Sequence, residues 1–217
     1  MRCNGGKGFR VRLKVMLYVA GCVALMASAS IATGATRPRV VAATFAEYSV
    51  VPPTPASVFV CHGFGCKYRV EIDLTTGDRA KLAQFLAPGR ASAAAERKAV
   101  AAAGAWFDKR VGPVAGTANH VARAGMKYMF DTHQFDCIDT SRNTTSLLMV
   151  LDQLGLLRYH DVDEPEARGY MVDGRPPHAT AVLVERATGK KWSIDSWTVG
   201  YGQALEVMPL ERWKDLD

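Results

Sequence analysis

A chain of 217 residues with 48% hydrophobic and 22% charged residues has the profile of one ordinary globular domain with a sizeable core, which excludes a disordered chain. The formal charge of +6 suggests nucleic-acid binding only until it is divided along the chain: Arg2, Lys7, Arg10, Arg12 and Lys14 precede residue 36, where there is no Asp or Glu. Without those five, 22 basic residues face 21 acidic ones, and a nearly neutral domain has no electrostatic footprint for nucleic acid.

The basic residues are followed by an uncharged run from Val15 to Thr33, in which Ala27-Ser28-Ala29 fits a small-residue cleavage site. Residues 1–35 therefore have the form of a secretory signal. Two other readings stay open. The 19-residue run at positions 15–33 is just long enough to remain as an uncleaved anchor. Val19-Ala20-Gly21-Cys22 also resembles a bacterial lipobox, followed by the apolar Val23-Ala24-Leu25-Met26 where lipoproteins usually turn polar. Each reading puts the remainder of the chain beyond the cytoplasmic membrane, as a periplasmic or secreted domain or as one anchored at the membrane surface. Residues 36–57, with Pro38, Pro52, Pro53 and Pro55, read as a tether with one short strand at Arg39 to Thr44. The folded domain is expected over residues 58–217.

In that domain Val58 to Cys61 and Cys66 to Ile72 are strand-like runs around His62-Gly63-Phe64-Gly65. Cys3 and Cys22 belong to the leader, so Cys61, Cys66 and Cys137 remain. In an oxidising compartment Cys61 and Cys66 are the natural disulfide pair, and Cys137 is left free. Two free thiols, or a metal held by Cys61, His62 and Cys66, are the alternatives, the latter a poor zinc pattern without a second ligand pair. From Asp78 the period becomes helical. Asp78 caps a helix that Pro88-Gly89 stops, and Ser92 caps an alanine-rich helix to about Arg110, with Trp106 and Phe107 as core residues. A break at Gly112-Pro113 precedes a third expected helix, Ala118 to Met129, carrying His120; neither His120 nor His133 has a partner at fixed spacing.

Gln134-Phe135-Asp136-Cys137-Ile138-Asp139 then places one cysteine just ahead of a strongly patterned helix, with Leu147, Leu148, Leu151 and Leu154 at helical spacing and Gly155 as its stop. At a helix N-terminus the unpaired amides and the dipole favour a thiolate. Asn143-Thr144-Thr145 matches a glycosylation acceptor but falls inside this helix. Tyr159 to Val162 reads as a short strand in which Asp161, on the opposite face, is badly placed to orient His160, and Asp163 to Pro177 reads as a surface loop. A hairpin follows: His178 to Arg186, a turn at Ala187-Thr188-Gly189-Lys190, and Trp192 to Trp197. Antiparallel pairing about that turn brings His178 near Asp195, with a few residues of mismatch that let His178 overhang the strand end. Val207 to Trp213 closes the domain with a short turn or helix.

A cysteine at a helix start, a strand headed by histidine and a paired strand ending in aspartate are the parts of an acyl-transfer site. Cys137 would attack an amide or ester carbonyl, His178 would carry the proton, and Asp195 would orient the imidazole; a backbone amide near Cys137 and the side chain of Gln134 are candidate oxyanion donors. This order resembles the transglutaminase-like branch of the papain-like superfamily, including bacterial transglutaminase-like cysteine peptidases, in the stretches Cys137 to Leu156 and His178 to Asp195 with Trp192. Two positions differ from the common pattern: Asp136 stands where a small residue often precedes the cysteine, and Ala179-Thr180 follow the histidine where an aromatic is usual. The resemblance implies an α+β domain with a papain-like core, in which N-terminal helices and a cysteine-bearing helix pack on an antiparallel sheet. It implies a thiol-dependent amide hydrolase or acyl transferase that needs no cofactor and acts on peptide, protein or peptidoglycan amides. The alternative is a non-catalytic envelope binding module on a degenerate form of the same fold.

Overall fold

The computed structural model describes residues 45–46, 50–169 and 176–216, so the leader, its cleavage site and lipobox, and the strand expected at 39–44 lie outside the described residues. The chain divides into two compact units, Met1–Thr33 and Gly34–Asp217, and all the described residues belong to the second. Its elements are strands β1 (Ser57–His62) and β2 (Tyr68–Asp73), helices α1 (Thr76–Leu86), α2 (Ala93–Ala115) and α3 (Cys137–Gln153), strands β3 (His160–Arg168), β4 (His178–Glu185), β5 (Lys191–Asp195) and β6 (Glu206–Pro209), and a last short helix α4 (Leu210–Lys214). The domain is α+β, with two antiparallel sheets: a hairpin β1-β2 and a four-stranded sheet in the order β3-β4-β5-β6. No helix among the described residues is long and apolar enough to cross a membrane.

Helix α3 contacts strands of both sheets and also α2. Leu147, Leu148 and Leu151 are buried in a core shared with Val58, Val60, Leu82, Val100, Leu183 and Ile194. Asn143 fastens this helix to β1: its Oδ1 accepts the Cys61 N–H at 2.8 Å and its Nδ2 donates to the Cys61 carbonyl at 2.8 Å, so both ends of the glycosylation-like carboxamide are engaged. At the other end of the core, fully buried Glu96 in the first turn of α2 accepts the Arg158 and Tyr159 amides and bonds His160 Nδ1 at 2.8 Å. Asp161 faces away and pairs with Arg186 instead. The Ser92 and Gly155 boundary signals act as expected: Ser92 Oγ accepts the Ala95 N–H, and Gly155 adopts a φ of 67° after the last turn of α3.

Four expectations need correction. The N-cap of α1 is Thr75, with Asp78 inside the first turn as the other half of a capping box. Gly112-Pro113 does not break α2, which runs to Ala115 and ends at Gly116 with a φ of 74°. Pro113 has no N–H for the Lys109 carbonyl four residues back, and the Tyr201 hydroxyl donates to that oxygen at 3.4 Å in its place. The helix expected over 118–129 is a loop with one 3-10 turn at Met126–Tyr128. Its larger apolar residues Val121, Met126 and Met129 face solvent, Met126 being 72% exposed, and Arg123 takes a left-handed φ of 54° that no helix continues through. Finally, the stretch expected as a loop from Asp163 is strand as far as Arg168. Pro165 is tolerated there because β3 is an edge strand and Glu164 and Pro165 fall in a register shift between the pairs Asp163↔Val182 and Glu166↔Thr180.

Cys61 and Cys66 form a disulfide with their α-carbons 4.6 Å apart. The turn it closes is left-handed throughout, with φ of 80° at Gly63, 67° at Phe64, 69° at Gly65 and 56° at Cys66. Two of these residues are not glycine, so the conformation has to be imposed from outside the turn. A cross-link over so short a loop is worth about 2 kcal/mol. Cys61→Ser with Cys66→Ser is therefore expected to lower the urea unfolding free energy by about that amount or more, since the turn also contacts the start of α3; an unchanged midpoint would mean that the turn holds its shape without the bond.

Candidate active site

Asp136 is the N-cap of α3. Its side chain accepts the Asp139 N–H at 2.8 Å, and Asp139 Oδ2 accepts the Asp136 N–H at 3.2 Å, a capping box built from two carboxylates. The disulfide turn closes over both: Phe64 N–H and Cys66 N–H donate to Asp139 at 2.9 and 2.6 Å, and Gly65 N–H donates to Asp136 at 2.8 Å. This explains the acid that stands before the cysteine. Asp136 is a structural cap whose charge is spread over amide donors. Asp139 is completely buried, and burial together with the neighbouring Asp136 charge pushes its carboxyl up to about 7.

Cys137 is the first residue of α3, a half-buried free cysteine. Its Sγ lies against the backbone on both sides of His178: the thiol is 3.9 Å from the Pro177 carbonyl oxygen, and the Ala179 amide donates to the sulfur. The helix start does not make it a thiolate. Burial first, then the charges of Asp136 and Asp195, push the thiol up to about 11, against the opposing pull of the Ala179 and Cys137 amides. Desolvation and two nearby carboxylates therefore outweigh the end of one helix, and the expectation of a ready thiolate is corrected.

His178 opens β4, and Asp195 closes β5. The last registered pair between these strands is Ala181↔Ile194, so His178 overhangs the ladder, as the hairpin arithmetic anticipates. Its Nε2 is nevertheless 2.6 Å from Asp195 Oδ2. Asp195, 1% exposed, also accepts the Trp213 indole N–H at 2.9 Å and the Trp197 backbone N–H at 3.0 Å. Both indoles pack on the imidazole, with ring centroids 4.6 Å (Trp197) and 5.3 Å (Trp213) away. With Nε2 committed as the donor to Asp195, the acceptor lone pair belongs to Nδ1. That atom is buried and has no hydrogen-bond partner among the described residues.

Gln134 is engaged away from Cys137: its side-chain Oε1 accepts the Val121 N–H at 2.8 Å, and its main-chain carbonyl accepts the Gly63 N–H at 3.0 Å. His133 is exposed, its Nδ1 2.7 Å from the Gly116 carbonyl oxygen. His120 is buried against Phe135 and pairs with Asp108 at 3.0 Å, a further histidine and carboxylate pair, beside His160 with Glu96, that spacing alone did not reveal. The disulfide uses both sulfurs of the alternative metal site, and His62 Nδ1 faces the Thr132 carbonyl oxygen at 2.6 Å. Trp213 and Trp197 were missed as members of the site: an indole that reaches back across 18 residues to a carboxylate leaves no periodic trace.

No protein-family model, curated protein or solved structure matches the chain.

Because the folded state holds the Cys137 proton more tightly than the unfolded chain does, the associated stabilisation is complete below the ordinary cysteine range and is lost as pH rises through about 11. The ultraviolet thiolate absorbance, taken as wild type minus Cys137→Ser, is expected to titrate near 11, whereas a thiol ionised by the helix dipole would give a midpoint below about 8.5.

Proposed function

We propose that this domain is an exported thiol-dependent amide hydrolase or acyl transferase, with Cys137 as nucleophile, His178 as base and Asp195 as the group that fixes the imidazole. The observation that carries the reading is the state of His178. A histidine 5% exposed has one nitrogen clamped by a buried aspartate and the other buried without a partner among the described residues, while the free cysteine sulfur rests on the peptide groups either side of it. A buried nitrogen with an unused lone pair is costly, and such exceptions concentrate where a proton has to be received.

The resting thiol is neutral, so the reading needs no standing ion pair. As Cys137 Sγ attacks the carbonyl carbon, its proton passes to His178 Nδ1, and the imidazolium that forms is held by Asp195 through Nε2. The negative charge on the carbonyl oxygen falls to the Cys137 N–H, which as a first-turn amide has no intrahelical acceptor. The proton on Nδ1 then goes to the leaving amine, giving a thioester. Water, or an acceptor amine in a transferase, repeats the sequence in reverse and restores the thiol. The cysteine at a helix start, the histidine opening a strand and the aspartate closing its antiparallel neighbour support a transglutaminase-like, papain-like core. The disulfide supports an oxidising compartment. Peptide, protein and peptidoglycan amides are the substrates such a domain would meet there.

A non-catalytic binding module is the second reading, favoured by the raised Cys137 thiol. Alkylation separates the two. With His178 acting as base, iodoacetamide is expected to label wild-type Cys137 at neutral pH about tenfold or more faster than it labels His178→Ala, with Asp195→Asn between them. If Cys137 only packs, removal of the imidazole opens space around the sulfur, and His178→Ala will label as fast as wild type or faster. Circular dichroism melts of each variant exclude unfolding as the cause.

A further inference from the structure

His178 also borders a pocket of about 330 Å³, lined by Arg123, Arg168, His178, Trp197, Glu206 and Trp213. That is room for one amino-acid residue. Two indoles supply apolar walls, and the lining carries two guanidinium groups and one carboxylate. The Arg168 guanidinium lies over the Trp213 ring at 4.9 Å.

Arg123 is placed there with unusual force. It is exposed, and among the described residues its guanidinium has neither an ion pair nor a side-chain hydrogen bond. Its backbone is held at a φ of 54°, a conformation rare for a residue with a Cβ. Two bonds impose it: the Arg123 N–H donates to the Trp197 carbonyl at 2.7 Å, and the Trp197 indole N–H returns to the Ala124 carbonyl at 3.4 Å. The same Trp197 packs on His178, so the arginine is tied through one side chain to the base. A strained residue that presents an unsatisfied planar cation over a pocket is a ligand contact looking for its anion.

We propose that this pocket is the subsite for a carboxylate carried by the substrate residue next to the scissile amide, bound by Arg123. The carboxylate is either an acidic side chain or a free chain terminus; both present two coplanar oxygens to the guanidinium fork. The bond to be cut then lies over Cys137, and in that respect the inference rests on the acyl-transfer reading.

Binding is tested without catalysis, in the full chain carrying Cys137→Ala, by tryptophan fluorescence. Three probes are titrated: N-acetyl-alanyl-alanine, with a free terminus; the α-amide of N-acetylglutamic acid, with an acidic side chain; and N-acetyl-alanyl-alanine amide, which is neutral. At least one carboxylate probe is expected to bind about tenfold tighter than the neutral amide, the size of one charge-assisted contact, and which of the two does so identifies the source. Adding Arg123→Gln should remove the preference, and adding Arg123→Lys should keep part of it. Equal binding of charged and neutral probes, a preference that survives Arg123→Gln, or no saturable binding of any probe would overturn the subsite. Failure of the acyl-transfer reading appears instead as alkylation indifferent to His178 and leaves this titration unaffected.

Discussion

Asp136 and Asp139 accept three backbone N–H groups from the Gly63 to Cys66 turn while capping each other's amides at the start of α3. The carboxylates satisfy donors that a left-handed turn would otherwise leave pointing at nothing, and the turn in return covers charges buried at the helix start. Asp139 bears the cost, with its carboxyl pushed up to about 7. Since Cys137 lies between the two acids, its position is set by this joint, and the hairpin sheet and the central helix cannot move independently of the sulfur.

The second fixed point is Asp195. One buried carboxylate receives an imidazole, an indole and a backbone amide, arriving from β4, α4 and the turn after β5. Those three donors converge from separate stretches of chain, so the imidazole has neither a free rotamer nor a second tautomer to adopt. The two fixed points meet at the Pro177 to Ala179 backbone, against which Cys137 rests. The three groups are carried by rigid elements: the sulfur sits on a helix, the imidazole on a strand and the carboxylate on its neighbour.

What could be read from the sequence was local or periodic. The start of α3 at Cys137, its leucines, the Gly155 stop and the hairpin that brings His178 to Asp195 all follow from spacing and turn chemistry. The disulfide followed from the count of cysteines and their separation. What could not be read was decided through space. The acid before Cys137 does oppose a thiolate, as its charge alone suggests, but its second role as the acceptor for an amide of the disulfide turn has no trace in its sequence neighbourhood. The apolar period at 118–129 was genuine, but its larger apolar residues face solvent, while Gln134 and Trp197 offered its amides other partners. Glu96 and His160, 64 residues apart, have no signature at all.

The ends of the four-stranded sheet carry a consequence for how a chain-like ligand can be held. One edge, β3, contains Pro165 in a register shift and the acids Asp163, Glu164 and Glu166; the other, β6, is four residues long and ends in Pro209. Neither offers an unbroken row of N–H groups and carbonyls, so an extended polypeptide has poor purchase for adding itself as a further strand. The same features disfavour edge-to-edge pairing of this sheet with a neighbouring copy, since proline, charge and shortness all blunt a strand edge.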